Sequence, residues 1–239
     1  MNEKMNQYND ARYYRAGGFD PGFRMEAAPV HAVFAVREQE TVHPTIMPFN
    51  GIPLEEILPQ LDETDAAIVE ETGRSRFLTS LQLYQFLNLR GIRVKRTSLT
   101  VKLKKLCGYR LLRVYDLLAG DNTNGIRYYE LDFKGAQLAA GRGVVFHRGN
   151  RCLSFRKKQE LGVLETAADV KRVLAGNMIV LGLLLNHAAL EGFGIMETLK
   201  TSRDAPAADD CILRTAANVQ IDAESNLLYE VVRSTPESW

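Results

Sequence analysis

Residues 96–108 have the sequence RTSLTVKLKKLCG. At about 100° per residue, Leu99, Leu103 and Leu106 fall within about 60° of one another, so they form an apolar stripe that faces a core. The opposite side carries Ser98, Val101, Lys104 and Lys105, with Thr100 and Lys102 on its flanks. An apolar stripe opposite short polar and long basic side chains is typical of a helix that lies in the major groove of DNA.

The elements on either side of this helix can be predicted from apolar spacing, capping residues and turn composition. In chain order they are a helix over Asp62–Glu71, a helix over Leu81–Leu89 that Thr79 or Ser80 caps and Gly91 ends, the helix over Ser98–Cys107 that Thr97 caps and Gly108 closes, strands over Leu111–Leu117 and Ile126–Leu131, and a short helix over Phe133–Ala140. Three helices followed by a two-stranded hairpin is the order of a winged helix-turn-helix domain.

The charge of the chain is unevenly distributed. Thirty Lys and Arg residues face 29 Asp and Glu residues, so the net charge is +1, which excludes a globally polybasic protein. A chain with 46% apolar and 25% charged residues is also not fully disordered. Nevertheless, nine basic residues and no acid lie between Arg90 and Arg113. A solvated helix face would mix the two signs, so this basic window indicates a polyanionic partner.

We therefore expect duplex DNA to be the partner of this unit. The predicted DNA-binding residues are Arg93, Lys95, Arg96, Thr97, Ser98, Thr100, Val101, Lys102, Lys104, Lys105, Arg110, Arg113, Asn122, Asn124 and Arg127. Arg127 is expected to support the wing, and Asn122 and Asn124 either reach the minor groove or serve only as turn residues.

The whole chain is expected to be an α+β protein in three parts: an irregular N-terminal arm (1–60), the winged helix-turn-helix domain (61–142) and a C-terminal α+β domain (143–239). Proline and glycine punctuate the arm, in which His31–Val36 and Thr41–Met47 are candidate short strands. In the C-terminal domain a long helix is predicted over Thr166–His187. Extended segments follow over Gly194–Leu199, Cys211–Ile221 and Leu227–Arg233, the last two joined as a hairpin by residues 222–226.

Residues 76–140 resemble the winged-helix part of the replication-relaxation family of plasmids and conjugative elements. The likeness is carried by the motifs RFLT (76–79), RTSL (96–99), LKKL (103–106), YYEL (128–131) and KG (134–135). The resemblance implies a DNA-binding accessory or regulatory protein of a mobile genetic element. It also implies that the C-terminal domain is a restriction-endonuclease-like core.

A nuclease of that kind needs an acid on one strand and an acid-x-Lys on the next, to hold a metal ion and to stabilise developing charge. Glu230 is followed by Val-Val-Arg, and residues 214–217 (RTAA) contain no carboxylate. We therefore predict a degenerate core with no catalytic residue, no metal ligand and no cofactor, in a protein that is not an enzyme. Cys107, Cys152 and Cys211 match neither a metal knuckle nor a disulfide framework, so they are expected to be free thiols.

The chain shows neither a signal peptide nor an apolar run that could span a bilayer, so a cytoplasmic protein without membrane contact is expected. Besides duplex DNA, the predicted partners are a protein bound by the C-terminal domain and a second copy of the chain in a homodimer. An alternative function is a protein-binding module that inhibits or recruits a nucleoprotein complex of replication, mobilisation or defence. A metal-dependent nuclease is the third function considered.

Overall fold

The protein is an α+β chain with seven helices and small antiparallel sheets in the part that this computed structural model describes. The described residues are 9–10, 40–118, 125–144, 155–162, 165–186, 190–195, 198–200, 211–214, 217–222 and 225–229. The helices are α1 (Leu54–Ile57), α2 (Glu63–Ser75), α3 (Ser80–Leu89), α4 (Arg96–Gly108), α5 (Phe133–Gly141), α6 (Phe155–Glu160) and α7 (Ala167–Leu185), and a 3-10 turn (Leu58–Gln60) follows α1. None of these helices combines the length and the hydropathy that crossing a membrane requires.

Strands form three separate antiparallel sheets. The strands are β1 (Asn9–Asp10), β2 (Thr41–Pro44), β3 (Leu112–Leu118), β4 (Ile126–Leu131), β5 (Gly192–Ile195), β6 (Thr198–Lys200), β7 (Cys211–Arg214), β8 (Ala217–Gln220) and β9 (Asn226–Tyr229). Their orders are β2-β3-β4, β1-β5-β8-β9 and β6-β7. The predicted hairpins, β3–β4 and β8–β9, are both confirmed.

The N-terminal region contributes to the fold. Strand β2 lies against β3, with Thr41 opposite Leu118 and Pro44 opposite Tyr115. A strand within Thr41–Met47 is thus confirmed, whereas His31–Val36 lies outside the described residues. Ile57 of α1 is fully buried, so α1 and β2 both contribute to the fold around the hairpin.

Reciprocal hydrogen bonds between a cap residue and the third helical residue begin three of the helices. Such capping boxes join Asp62 to Asp65 at α2, Thr79 to Gln82 at α3 and Thr166 to Asp169 at α7. They confirm the predicted cap at Thr79 and the start of the long helix after Thr166.

The predicted cap at Thr97 is wrong. Helix α4 begins at Arg96, so Thr97 lies inside its first turn, and the cap residue Lys95 makes no side-chain capping bond within the described residues. The physical reason is local: the Leu99 amide donates to the Lys95 carbonyl at 2.9 Å, so the first helical hydrogen bond forms two residues before the predicted cap. Inside the same turn the Thr100 hydroxyl donates to the Arg96 carbonyl at 3.1 Å.

The turn after α4 also differs from the prediction. Gly108 is the last helical residue, and Arg110 adopts the left-handed conformation with φ of 57°. The Leu111 amide donates to the Leu106 carbonyl and the Arg110 amide to the Cys107 carbonyl, each at 3.0 Å, which is the Schellman pattern. Gly91 has the same role after α3, with φ of 76°, as predicted.

Helix α5 packs directly on the beginning of β3. A Cβ atom at Gly135 would lie 1.9 Å from the Leu111 carbonyl oxygen, so only glycine permits this approach. The same oxygen accepts a hydrogen bond from the Asp132 amide at 3.0 Å. Asp132 is thereby held close to the end of α4.

Helix α7 contacts the helices that precede it in the sequence. The buried Asn177 side chain donates to the carbonyls of Ser75 (3.0 Å) and Phe77 (2.7 Å), and Gln82 donates to the Leu174 carbonyl at 2.8 Å. Val173 and Leu181 belong to the same continuous core as the leucines of α4. The division of the chain at residues 142–143 stays a prediction.

The C-terminal strands are shorter than predicted. The segment Gly194–Leu199 is divided between β5 and β6, and Cys211–Ile221 is divided between β7 and β8, so each segment contributes to two sheets. Pairing between distant segments decides where these strands end. A run of apolar residues in the sequence does not indicate which segments pair.

The caps generate a stability prediction. Thr79→Ala removes a capping hydroxyl and should lower the free energy of unfolding by about 1 kcal/mol. Thr97→Ala, at an exposed position inside α4, should change it by less than about 0.5 kcal/mol. Urea denaturation measures the free energy of unfolding of the two variants. Equal losses in both would show that Thr97 does cap α4.

Candidate nucleic-acid interface

The basic window is divided between ion pairs and an exposed surface. Five of its nine bases bond to carboxylates of the described residues: Arg90, Lys102, Lys105, Arg110 and Arg113. Arg93, Lys95, Arg96 and Lys104 have exposed side chains. The nine positive charges of the window are therefore not equally available to a partner.

Asp65 is the centre of the first carboxylate group. Its side chain is fully buried on α2 and accepts from the Lys102 ammonium at 3.0 Å and from the Lys105 ammonium at 2.6 Å. Lys102 also lies 2.5 Å from Asp62, and that hydrogen bond lowers the pKa of Asp62. Burial opposes the charge of Lys102, but its bonds to the two aspartates raise its pKa.

This arrangement corrects the position expected for Lys105. The helical angle predicts Lys105 on the outer side of α4, opposite the leucines. It lies instead on the flank toward α2, where its ammonium also donates to the Gln60 carbonyl at 2.7 Å. Lys102, expected on the flank, lies there too.

Asp132 is the second carboxylate centre. It is buried and accepts from Arg113 at 2.6 Å, from Arg110 at 3.2 Å and from the Phe133 amide at 2.7 Å. Burial alone would raise the pKa of Asp132, but the hydrogen bond and charge of Arg113 hold it below its usual value. The Arg110 guanidinium also lies over the Phe49 ring, 4.9 Å from its centroid. Both arginines are thus tied to the body of the protein beside the end of α4.

Arg90 is a further basic residue of the window that bonds to carboxylates. Its side chain is buried at the end of α3 and bonds to Glu70 at 2.9 Å and to Glu71 at 2.8 Å. Both acids lie on α2, so Arg90 joins the end of α3 to α2. Glu70 also accepts from Arg142, and although burial opposes its charge, Arg142 and Arg90 hold its pKa below the usual range.

The outer face of α4 is defined here as Lys95, Arg96, Thr97, Ser98, Thr100, Val101 and Lys104, all of which are exposed. It contains no acid, and Arg93 is exposed just before it. The Arg96 guanidinium lies over the Tyr84 ring at 5.4 Å from its centroid. The outer face therefore joins short side chains, one aliphatic residue and positive charge.

The electrostatics at the N-terminus of α4 differ from those of the other long helices. Helices α2 and α7 have acids in the first turn, and α3 has a capping box, whereas α4 has neither an acid nor, within the described ranges, a side-chain cap. Free amides and the positive end of the helix dipole attract anions. The basic residues Arg93, Lys95 and Arg96 lie at or just before this terminus.

The residues predicted to belong to a wing lie at the β3–β4 hairpin, and only Arg127 is among the described residues. Arg127 on β4 binds Asp116 on β3 through two hydrogen bonds of 2.8 and 3.1 Å, and the first cause of its raised pKa is this pairing. Its side chain remains 58% exposed. It thus lies at the hairpin as predicted, whereas Asn122 and Asn124 fall outside the described residues.

Sequence reasoning missed the acids that organise the site. The pairing of Asp65 with Lys105 spans 40 residues and that of Asp132 with Arg113 spans 19, and no local pattern signals them. It also missed Lys158, which is fully buried and bonds to Glu130 at 2.7 Å and to Glu165 at 3.1 Å. Asp62 alone had a local signal, since an Asp three residues before another acid is typical of a capping box.

Cys107 and Asp222 carry groups that could serve other chemistry. Cys107 is a free thiol, as predicted; it is buried, and burial raises the pKa of its thiol to about 12. Asp222 accepts from the Ser225 amide in the β8–β9 turn, and Glu224 and Glu230 lie outside the described residues. Among the described residues no three His, Cys, Asp or Glu side chains gather in a way that could hold a metal ion.

The chain matches none of the family models, curated proteins or solved structures with which it was compared.

Asp132 generates a prediction about pH. Asp132→Asn should lower the free energy of unfolding by about 3 kcal/mol near neutral pH, because Arg113 would lose its buried counter-charge. The folded-state pKa of Asp132 is depressed, so its stabilisation is present above the unfolded-state value of about 4 and is lost as the pH falls through the folded value.

The difference in stability between the wild type and Asp132→Asn should therefore be full at about pH 7 and shrink toward about pH 3. Urea denaturation at a series of pH values measures it. A difference that stays constant over this range would show that the Asp132 charge contributes nothing.

Proposed function

We propose that residues 61–142 form a winged helix-turn-helix domain that binds duplex DNA. In this proposal α3 and α4 are the helix-turn-helix, α4 lies in the major groove, and the β3–β4 hairpin is the wing. The order of α2, α3, α4 and the hairpin supports the proposal, as does the packing of Leu99, Leu103 and Leu106 in the core.

The outer face of α4 is the observation that carries the proposal. It presents exposed short side chains and basic side chains without any acid. The carboxylates of Asp62, Asp65 and Asp132 neutralise the basic residues on the inner flank of α4 and beyond its end. A surface that only needed to be soluble would mix both signs. A surface of one sign, with short side chains at its centre, suits a groove lined by phosphates.

The residues divide into two roles. Arg93, Lys95, Arg96 and Lys104 would contact phosphates, together with the uncapped amides of α4. Thr97, Ser98, Thr100 and Val101 would face base edges. Lys102, Lys105, Arg110, Arg113 and Arg127 would mainly hold the recognition surface in place through their ion pairs.

The biological setting follows from the resemblance of residues 76–140 to the replication-relaxation family. We propose a DNA-binding accessory or regulatory protein of a plasmid or another mobile genetic element. Its role is binding, and no catalytic residue is assigned.

One observation favours the alternative of a protein-binding module. Ile46 is 93% exposed, and Phe49, under Arg110, and Phe133, next to Asp132, are more than half exposed. Exposed apolar groups of this kind are typical of protein-binding surfaces. A nucleoprotein complex would be the partner in this case.

Two adjacent lysines test the proposal. Lys104→Ala should weaken binding to random-sequence duplex DNA about three- to tenfold at low salt, because it removes a phosphate contact, and leave stability unchanged. Lys105→Ala should leave the affinity nearly unchanged and lower the free energy of unfolding by about 1 kcal/mol, because Asp65 loses one of its two cations. Fluorescence anisotropy and urea denaturation measure the two effects.

Both variants lose one positive charge from neighbouring positions, so each is the control of the other. Equal losses of affinity would show that net charge alone governs binding. If the wild-type protein has no affinity for duplex DNA even at low salt, the protein-binding alternative replaces the proposal.

A further inference from the structure

Val101 is an unusual residue on the outer face of α4. It is 67% exposed, although the other aliphatic side chains of this helix, Leu99, Leu103 and Leu106, are buried. Thr97 and Ser98 precede it by one turn, and Lys104 follows it by one turn. The most exposed apolar group of the helix thus lies at the centre of the surface proposed to enter the major groove.

Neither folding nor solubility accounts for valine at this position. A β-branched residue is a weaker helix former than Ala, Lys, Glu or Gln. Exposing two-thirds of the side chain gives up most of the stabilisation that burial would provide. The exposed side chain is therefore available for a contact with a partner.

The neighbouring threonine has its hydroxyl engaged within the helix. Thr100 Oγ1 donates to the Arg96 carbonyl at 3.1 Å. That bond occupies its one hydroxyl proton, so Thr100 presents a methyl group and an acceptor, but no donor, to a base edge. Positions 100 and 101 together are therefore poor in hydrogen-bond donors and rich in methyl groups.

The major groove contains one common apolar group, the C5-methyl of thymine. The 5-methyl of methylated cytosine occupies the equivalent position on the pyrimidine ring. We propose that Val101, assisted by Thr100, contacts the C5-methyl group of a pyrimidine and so determines the sequence preference of the protein. This inference rests on the proposed function, because it requires α4 to lie in the groove.

Replacing thymine by deoxyuridine tests the inference, because the substitution removes the methyl group and leaves every hydrogen-bonding group in place. Duplexes are first selected from a random pool by the wild-type protein. Each thymine of the selected site is then replaced in turn by deoxyuridine. We expect at least one replacement to weaken binding about three- to tenfold, the value of one buried methyl group or slightly more.

The variant Val101→Ala should bind the thymine and deoxyuridine duplexes with nearly equal affinity. Alanine is a better helix former, so loss of folding is not expected. Lys104→Ala serves as the control: it should weaken both duplexes by the same factor and keep their ratio. Placing 5-methylcytosine or cytosine at the sensitive position separates the two sources of the methyl group. Tighter binding to the methylated form than to cytosine would show that the contact also accepts methylated DNA, whereas equal binding would restrict it to thymine.

The outcomes distinguish the inference from the proposed function. If the wild type binds duplex DNA but tolerates every deoxyuridine, the inference is overturned and the proposed function stands. If Val101→Ala keeps the full preference for thymine, another residue reads the methyl group. An absence of any duplex binding at low salt would overturn both.

Discussion

The pairing of Asp65 with Lys102 and Lys105 is the contact on which the arrangement of this protein depends. A carboxylate that is fully removed from water must be paired with a cation, or the fold loses several kcal/mol. Asp65 therefore requires lysines from α4, and this requirement fixes the rotation of α4 about its own axis against α2. The leucines turn into the core as a result, and Thr97, Ser98, Val101 and Lys104 turn outward.

A second constraint acts at the other end of α4. Arg110 adopts a left-handed conformation that favours glycine, and its side chain reaches Asp132 and the Phe49 ring. Gly135 lets α5 approach Leu111 closely enough to keep Asp132 within reach of both arginines. The carboxylates of Asp65 and Asp132 thus neutralise the inner flank and the end of the basic window. The positive charge that remains exposed is a smaller patch on and just before the outer face of α4.

Local signals were sufficient to predict the helices α2, α3, α5 and α7 and both hairpins, because capping residues, apolar spacing and turn composition act over a few residues. They failed at Thr97, where the pattern of a cap is present but the helix begins two residues earlier than predicted. They failed for Lys105 because an angle around one helix does not report which neighbour offers a carboxylate. The division of the extended segments between sheets and the burial of Lys158 are likewise set by residues distant in sequence. For the candidate site, the sequence predicts the helix and its exposed face, but it does not predict which basic residues bond to buried carboxylates of the protein itself.

The salt dependence of duplex binding tests most directly the central claim that internal acids hold Arg90, Lys102, Lys105, Arg110 and Arg113 while the exposed outer face of α4 contacts DNA. Each phosphate contact contributes about 0.9 to the slope of log K against log salt. Three to four contacts by the exposed bases predict a slope of about −3 to −4. A slope near −8 would mean that the ion pairs of Asp65, Asp132 and Glu70 open on binding, and a slope shallower than about −1 would mean that the outer face of α4 does not meet DNA. Either result would contradict the account.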